Sequence, residues 1–183
     1  MGLFDVFKKK NTNTQPSVPE PVTCEPGAFE LAAPVCGRLV KLAEVPDPVF
    51  SAEVLGKGCA VWPDDDVVYA PVSGTVTVVM GHAVGITNHE GVEVLVHIGI
   101  DTVSMNGDGF TGFVHQGDTV VAGQALIRMD RIKIEAAGHP DCVVMLVSNS
   151  ANYADVALVA NPETHVTAGT TVLSVYQNDI KDM

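Results

Sequence analysis

From Phe29 onward, apolar positions fall in short runs dominated by Val, Ile, Leu and Thr, and Gly, Pro, Asn or Asp interrupt them about every eight to twelve residues. That spacing predicts short β-strands joined by turns. No long stretch repeats apolar residues at helical spacing. Residues 131–137 and 151–156 each have room for a single helical turn. Two segments recur along the chain. Ala33-Pro-Val-Cys-Gly37 returns as Ala70-Pro-Val-Ser-Gly74, each followed by apolar strand positions. Val120-Val-Ala-Gly-Gln-Ala-Leu126 returns more loosely as Val166-Thr-Ala-Gly-Thr-Thr-Val172. Strand–turn units that occur twice, and cannot bury a face alone, predict a duplicated all-β sandwich or barrel. Chance similarity in a Val- and Gly-rich chain is the other reading of each repeat.

Ahead of the strands the pattern stops. Residues 11–28 carry Asn, Thr, Pro and Glu with almost no periodicity, which predicts a flexible linker. The expected organisation is a flexible N-terminal segment over 1–28 and one folded domain over 29–183. Within the first ten residues, Leu3, Phe4, Val6 and Phe7 precede Lys8, Lys9 and Lys10. As a short helix this stretch could lay its apolar groups on an anionic membrane surface; a frayed terminus is the alternative. It has no apolar h-region, so a secretory signal is not expected, and no run approaches the roughly 18 apolar residues of a membrane span.

Composition narrows the function classes. Of the 183 residues 46% are hydrophobic and 17% charged, a globular balance. A formal net charge of -12 argues against nucleic acid, which rewards basic stripes, and suits a basic protein partner. Four cysteines, Cys24, Cys36, Cys59 and Cys142, show no CxxC spacing and read as reduced thiols of a cytoplasmic protein.

The most informative stretch runs from Gly81 to Val103. Asn88, His89, Glu90 and Gly91 carry turn chemistry between two strand-like runs, which predicts a hairpin with a loop of about four residues. With the loop over 88–91, Thr87 faces Val92, Val84 faces Leu95 and His82 falls opposite His97. Directly opposed residues have Cβ atoms about 4.5–5.5 Å apart, so two imidazoles would share one small site. His82, Val84, Ile86, Glu93, Leu95 and His97 would lie on one face, and Ala83, Gly85, Val92, Val94 and Val96 on the other. A slip of one residue would send the two rings to opposite faces. His89, His115, His139 and His165 read as solvated surface.

A neutral imidazole is a competent nucleophile near pH 7, its ordinary pKa being about 6.5. Attack on phosphorus gives a phosphoramidate whose weak P–N bond keeps the group transferable. A second ring can donate a hydrogen bond to the phosphoryl oxygens. Gly99 would leave room for a partner's side chain, and Asp101 adds a carboxylate.

Gly91-Val-Glu-Val-Leu-Val-His-Ile-Gly-Ile-Asp-Thr-Val103 resembles, over its whole length, the active-site signature of the glucose-class enzyme IIA family of the bacterial phosphoenolpyruvate–sugar phosphotransferase system. The similarity extends to Glu44-Val-Pro-Asp-Pro-Val-Phe50, Leu55-Gly-Lys-Gly58, Ala70-Pro-Val-Ser-Gly74 and Gly81-His-Ala-Val-Gly-Ile86, and covers roughly residues 29–175. The resemblance implies an antiparallel β-sandwich of the duplicated hybrid motif type. It implies a phosphocarrier that is phosphorylated on His97 Nε2, with His82 stabilising the group. The donor would be HPr, and the acceptor a cysteine on the IIB domain of a sugar permease. Val49, Phe50, Leu55, Leu95 and Val103 would line an apolar docking ring, and Asp47 and Asp101 would meet basic residues of the partner. No cofactor is required. Regulated permeases, glycerol kinase or adenylate cyclase are further partners of some members, and zinc held between His82, His97 and a regulated kinase is one form of such contact.

The chain departs from that family in places. Many members carry Thr two residues before the first histidine; here the position is Met80, with Thr75 or Thr77 left to replace its bond. The strand before His82 is two residues shorter, Leu95 stands where some members have Phe, and residues 136–141 differ from the usual helix-bearing stretch. Three rival readings stay open. A lysostaphin-like zinc peptidase resembles the same fold, but it uses a His-x-His pair and residue 95 is Leu. A biotinyl or lipoyl carrier needs a Lys at the hairpin tip, and 88–91 has none. A regulatory binding module would keep the docking ring without a reactive His97.

Overall fold

The structure is a computed structural model that describes residues 16–179. The membrane-surface expectation for residues 1–10 lies outside the described residues. All strand pairings are antiparallel. Among the described residues, the strands form two three-stranded sheets and one of eight strands. The first small sheet runs β1 (Glu30–Ala32), β14 (Thr171–Tyr176), β12 (Asp155–Leu158). The second runs β4 (Val67–Tyr69), β10 (Ala125–Met129), β8 (Phe110–Gly112). The large sheet runs β13 (His165–Val166), β2 (Gly37–Lys41), β3 (Lys57–Pro63), β11 (Val143–Val147), β7 (Glu93–Ile98), β6 (Ala83–Thr87), β5 (Gly74–Met80), β9 (Thr119–Val120).

The expected duplication is visible in the hydrogen bonds. Ala33 N–H donates to Thr170 O at 2.8 Å and its carbonyl accepts from Gly169 at 2.9 Å. In the second copy Ala70 N–H donates to Gln124 O and its carbonyl accepts from Gly123, both at 2.8 Å. The copies also bond each other, Ala32 N–H to Pro71 O and Tyr69 N–H to Pro34 O. The glycine that ends each motif has one job. A Cβ on Gly37 would lie 2.1 Å from Trp62 O, and one on Gly74 would lie 2.2 Å from Thr87 O. Only glycine lets the neighbouring strand come that close.

The alternation of the central strands β11 and β7 sorts their side chains between two clusters. Val143, Met145 and Val147 of β11 join the main core with Val94, Val96 and Ile98 of β7. Val144 and Leu146 point to a second cluster with Val40, Leu42, Val45, Phe50, Ala60 and Ile100. β11 is therefore apolar at every position, as a strand covered on both faces must be. The second cluster is closed by a short 3-10 turn, Leu42–Glu44, and by one helical turn, α1 (Pro48–Ser51). The 131–137 expectation is met by α2 (Arg131–Ala136), capped by Asp130. Within 151–156 a 3-10 turn, Ser150–Asn152, gives way to β12.

Residues 16–28, expected as a flexible linker, hold no helix or strand. Part of the stretch is nevertheless laid on the domain. Val22 N–H donates to Gly123 O at 3.0 Å, and Val22 packs against Val67, Tyr69, Ala125 and Ala168.

Candidate functional site

β7 carries His97 as its period of two requires. Val94, Val96 and Ile98 are buried, while Leu95 and His97 are partly covered on the face of the second cluster. The expected faces of this strand are borne out; those of its partner are not. β6 pairs with β7 in the register Thr87↔Glu93, Gly85↔Leu95, Ala83↔His97, one residue away from the expected pairing. The loop is five residues, because Val92 belongs to the turn: Asn88 N–H donates to Val92 O at 3.0 Å, and Asn88 Oδ1 accepts from Glu90 N–H and Val92 N–H. Val84 and Ile86 therefore enter the main core. Ala83 and Gly85 are the residues of β6 that face the site.

The slip does not separate the two histidines. His82 lies outside the ladder, in the Gly81–His82 turn between β5 and β6. There the strand alternation no longer fixes its side chain. Its carbonyl still accepts from Ile98 N–H at 2.8 Å, which holds the turn at the end of β7. The ring swings onto His97 with centroids 4.9 Å apart and planes at 75°.

Each histidine has a phenylalanine behind it. Phe50 of α1 lies 5.0 Å from the His97 ring, and Phe110 of β8 lies 6.4 Å from the His82 ring. Asp47 sets the first of these contacts. It caps α1, its Oδ1 accepting from Val49 N–H at 2.8 Å and Phe50 N–H at 3.0 Å, and Pro48 supplies the pre-set φ of a first helical residue. Phe50 was expected in the docking ring. It is only 6% exposed and packs against the His97 ring. Phe110 was not anticipated; the only signal is an aromatic after the Gly107-Asp108-Gly109 turn.

Burial decides the charge state of the pair. Desolvation lowers the pKa of His82. Desolvation, joined by His82, brings His97 down to about 4 against weaker opposite pulls from the Gly99 backbone, Asp47 and Asp101. Both rings are neutral near pH 7, the form that can attack phosphorus. His97 Nδ1 is fully buried and has no hydrogen-bond partner among the described residues. That leaves Nε2 as the ring nitrogen open to a visitor.

The chain matches the family described as phosphoenolpyruvate-dependent sugar phosphotransferase system, EIIA 1, over residues 29–153. It is 38% identical over 147 residues to the PTS system glucose-specific EIIA component of Oceanobacillus iheyensis, covering 79% of this chain and 88% of that protein. This chain belongs to the EIIA 1 family of the sugar phosphotransferase system. The glucose permease IIA from Mycoplasma capricolum is similar in structure, with a TM-score of 0.70 and 34% identity over 79% of this chain and 94% of that one. The PTS system beta-glucoside-specific EIIBCA component of Bacillus subtilis is 39% identical over 156 residues. Those residues are 84% of this chain but 24% of that longer protein. The chain likewise spans only 21% to 27% of two other long relatives.

As an EIIA component the chain is a phosphocarrier, a transferase part of a sugar phosphotransferase system, on the β-sandwich fold. No helix among the described residues is long and apolar enough to cross a membrane. Of the other residues singled out in the sequence, Asp47 and Asp101 lie close enough for their charge to act on His97. Val49, Leu55 and Val103 are exposed on α1, on the segment after it and on the loop after β7. Leu95 is partly buried against the second cluster. Asp101 is exposed, at φ 57° in the left-handed region, and opens a 3-10 turn, Thr102–Met105. Among the described residues neither Thr75 nor Thr77 hydrogen-bonds either ring, and Thr77 sits at a break in the β5–β6 register. Among the described residues no three His, Cys, Asp or Glu cluster to hold a metal. The four cysteines are free, and burial pushes the thiols of Cys59 and Cys142 up to about 12. His89, His115 and His165 are at the surface, as expected, while His139 is half-buried against Ser104.

Proposed function

We propose that His97 accepts the phosphoryl group from phospho-HPr and passes it to a cysteine on the IIB domain of a sugar permease. The observation that carries this reading is a pair of neutral imidazoles, 4.9 Å apart, flanked by Phe50 and Phe110. With its proton on the buried Nδ1, the neutral His97 ring presents the Nε2 lone pair outward. That lone pair forms the new P–N bond while the donor's bond to phosphorus breaks and its electron pair returns to the donor. In the second transfer a thiolate forms a P–S bond and the electron pair of the P–N bond returns to His97. His82 is the hydrogen-bond donor to the phosphoryl oxygens in both transfers, supplying the electrostatic part of the catalysis.

Exposed Val49, Leu55 and Val103, with Leu95 beside them, form the apolar contact for both partners. Asp47 and Asp101 give that contact an acidic rim, which suits a basic partner. The same face would serve regulated permeases, glycerol kinase or adenylate cyclase, and the reaction is placed in the cytoplasm. Incubation with phosphoenolpyruvate, enzyme I and HPr, followed by mass spectrometry with site mapping, tests the reading. One phosphoryl group on His97 is expected; phosphate on any other residue, or none, overturns it.

A further inference from the structure

The loop after β7 is not held by its own residues alone. Gly99 N–H donates to Cys142 O at 2.8 Å and Ile100 N–H donates to Pro140 O at 3.0 Å. The segment that receives these bonds begins with His139, half-buried, whose Nε2 lies 3.0 Å from Ser104 Oγ. Ser104 Oγ in turn donates to the carbonyl of Asp101 at 2.8 Å. The serine hydroxyl has one proton and gives it to Asp101, so the proton of the His139 contact belongs to Nε2. The result is a directed chain: His139 Nε2–H to Ser104 Oγ, and Ser104 O–H to Asp101 O.

Asp101 needs such a hold. A side-chain-bearing residue at φ 57° is in a conformation that is populated only when its surroundings fix it. Its carboxylate is one of two whose charge is felt by His97. We propose that His139 is a positioning residue for phosphoryl transfer, holding Asp101 through Ser104 in the orientation that meets the basic donor protein. This rests on the reading of Asp101 as part of the acidic rim. His139 touches neither phosphoryl group nor partner; it fixes where a charge stands.

The test is steady-state phosphoryl acceptance by the full chain from phospho-HPr at two ionic strengths. Loss of one hydrogen bond in the chain corresponds to roughly a three- to tenfold change. His139→Leu and Ser104→Ala should each raise the KM for phospho-HPr by about that factor and flatten its salt dependence, with kcat nearly unchanged. The double variant should be no worse than either single one, because both break the same chain. His139→Gln keeps an N–H donor and should recover most of the loss. If Asp101→Asn leaves KM and its salt dependence unchanged, the acidic-rim reading falls and this inference with it. If Asp101→Asn acts but Ser104→Ala does not, or His139→Gln is as poor as His139→Leu, the positioning role alone is overturned. Ser104→Ala removes only a surface hydroxyl, so it keeps the test open should His139→Leu fold poorly.

Discussion

The rings of His82 and His97 meet at 4.9 Å with planes at 75°, although the strand ladder pairs His97 with Ala83 and leaves His82 in a turn. The two histidines thus have different supports. His97 is fixed by a central strand between β6 and β11, and His82 by the bond from Ile98 N–H to its carbonyl and by its packing against Phe110.

Substitution of the two should therefore differ in kind. His97→Ala removes the nucleophile, and no acid-labile adduct should form with phospho-HPr. His82→Gln should still accept phosphate but deliver it to a IIB domain slowly, by about 10²–10³-fold in rate if it behaves as the loss of one transition-state donor. Rapid-quench transfer assays on both variants separate the roles. Delivery at the native rate from His82→Gln would remove that ring from the mechanism.

The lowered pKa of His97 has a consequence for stability. In the unfolded chain the ring takes up a proton near pH 6.5, while in the folded chain burial and His82 postpone that to about pH 4. Between these values the unfolded state binds more protons, so stability falls as pH falls, by up to roughly 3 kcal/mol once pH is below both. Above pH 6.5 the ring contributes no pH dependence. Phosphate acceptance should likewise hold from pH 7 to about pH 5 and fail only as His97 charges. An NMR titration of the ring, with melting curves across the same range, checks both statements. A His97 midpoint at or above 6 contradicts them.

Phe50 is expected to act through His97 more than through the partner. It is buried among Val40, Ile100, Val144 and Leu146, so Phe50→Ala should cost about 3–5 kcal/mol of stability, as large cavities in a core do. Losing that contact hydrates the His97 ring and should move its pKa back up toward its ordinary value. Denaturant unfolding and ring titration of the same variant measure the two effects. Unchanged stability with weakened HPr binding would return Phe50 to the docking ring.

What could be read in the sequence follows from which features are local. The alternation of Val92, Val94 and Val96 with Glu93, Leu95 and His97 fixed the faces of β7, because a strand's period needs only its own residues. The paired Ala-Pro-Val motifs announced the duplication for the same reason. The register of β6 was missed because it depends on one turn residue, Val92, which Asn88 draws into the loop. α1 carried a readable cap in Asp47 and Pro48, but four residues are too few to show a helical period. Phe110 behind His82 and His139 behind Asp101 are joined to the site only by the tertiary fold. No spacing rule reaches across the separation of 35 positions from Ser104 to His139.

The pair also bears on metal. His82 and His97 offer two neutral nitrogens, the donor type that zinc prefers, and lowered pKa values keep them unprotonated and available. Two ligands are too few for a stable tetrahedral site, and among the described residues no third His, Cys, Asp or Glu joins them. Zinc alone should therefore bind weakly. A carboxylate brought by a regulated kinase, with one water, would complete the shell and make zinc a bridge between the two proteins. A phosphoryl group on His97 Nε2 would occupy one ligand atom and repel the carboxylate, so only the unphosphorylated chain should form the bridge. Calorimetric titration of the chain with glycerol kinase, with and without zinc and before and after phosphorylation, measures this. The expected result is tighter binding with zinc for the unphosphorylated chain alone. Equal affinity with and without zinc, or an equal gain after phosphorylation, would show that the two rings serve phosphate only.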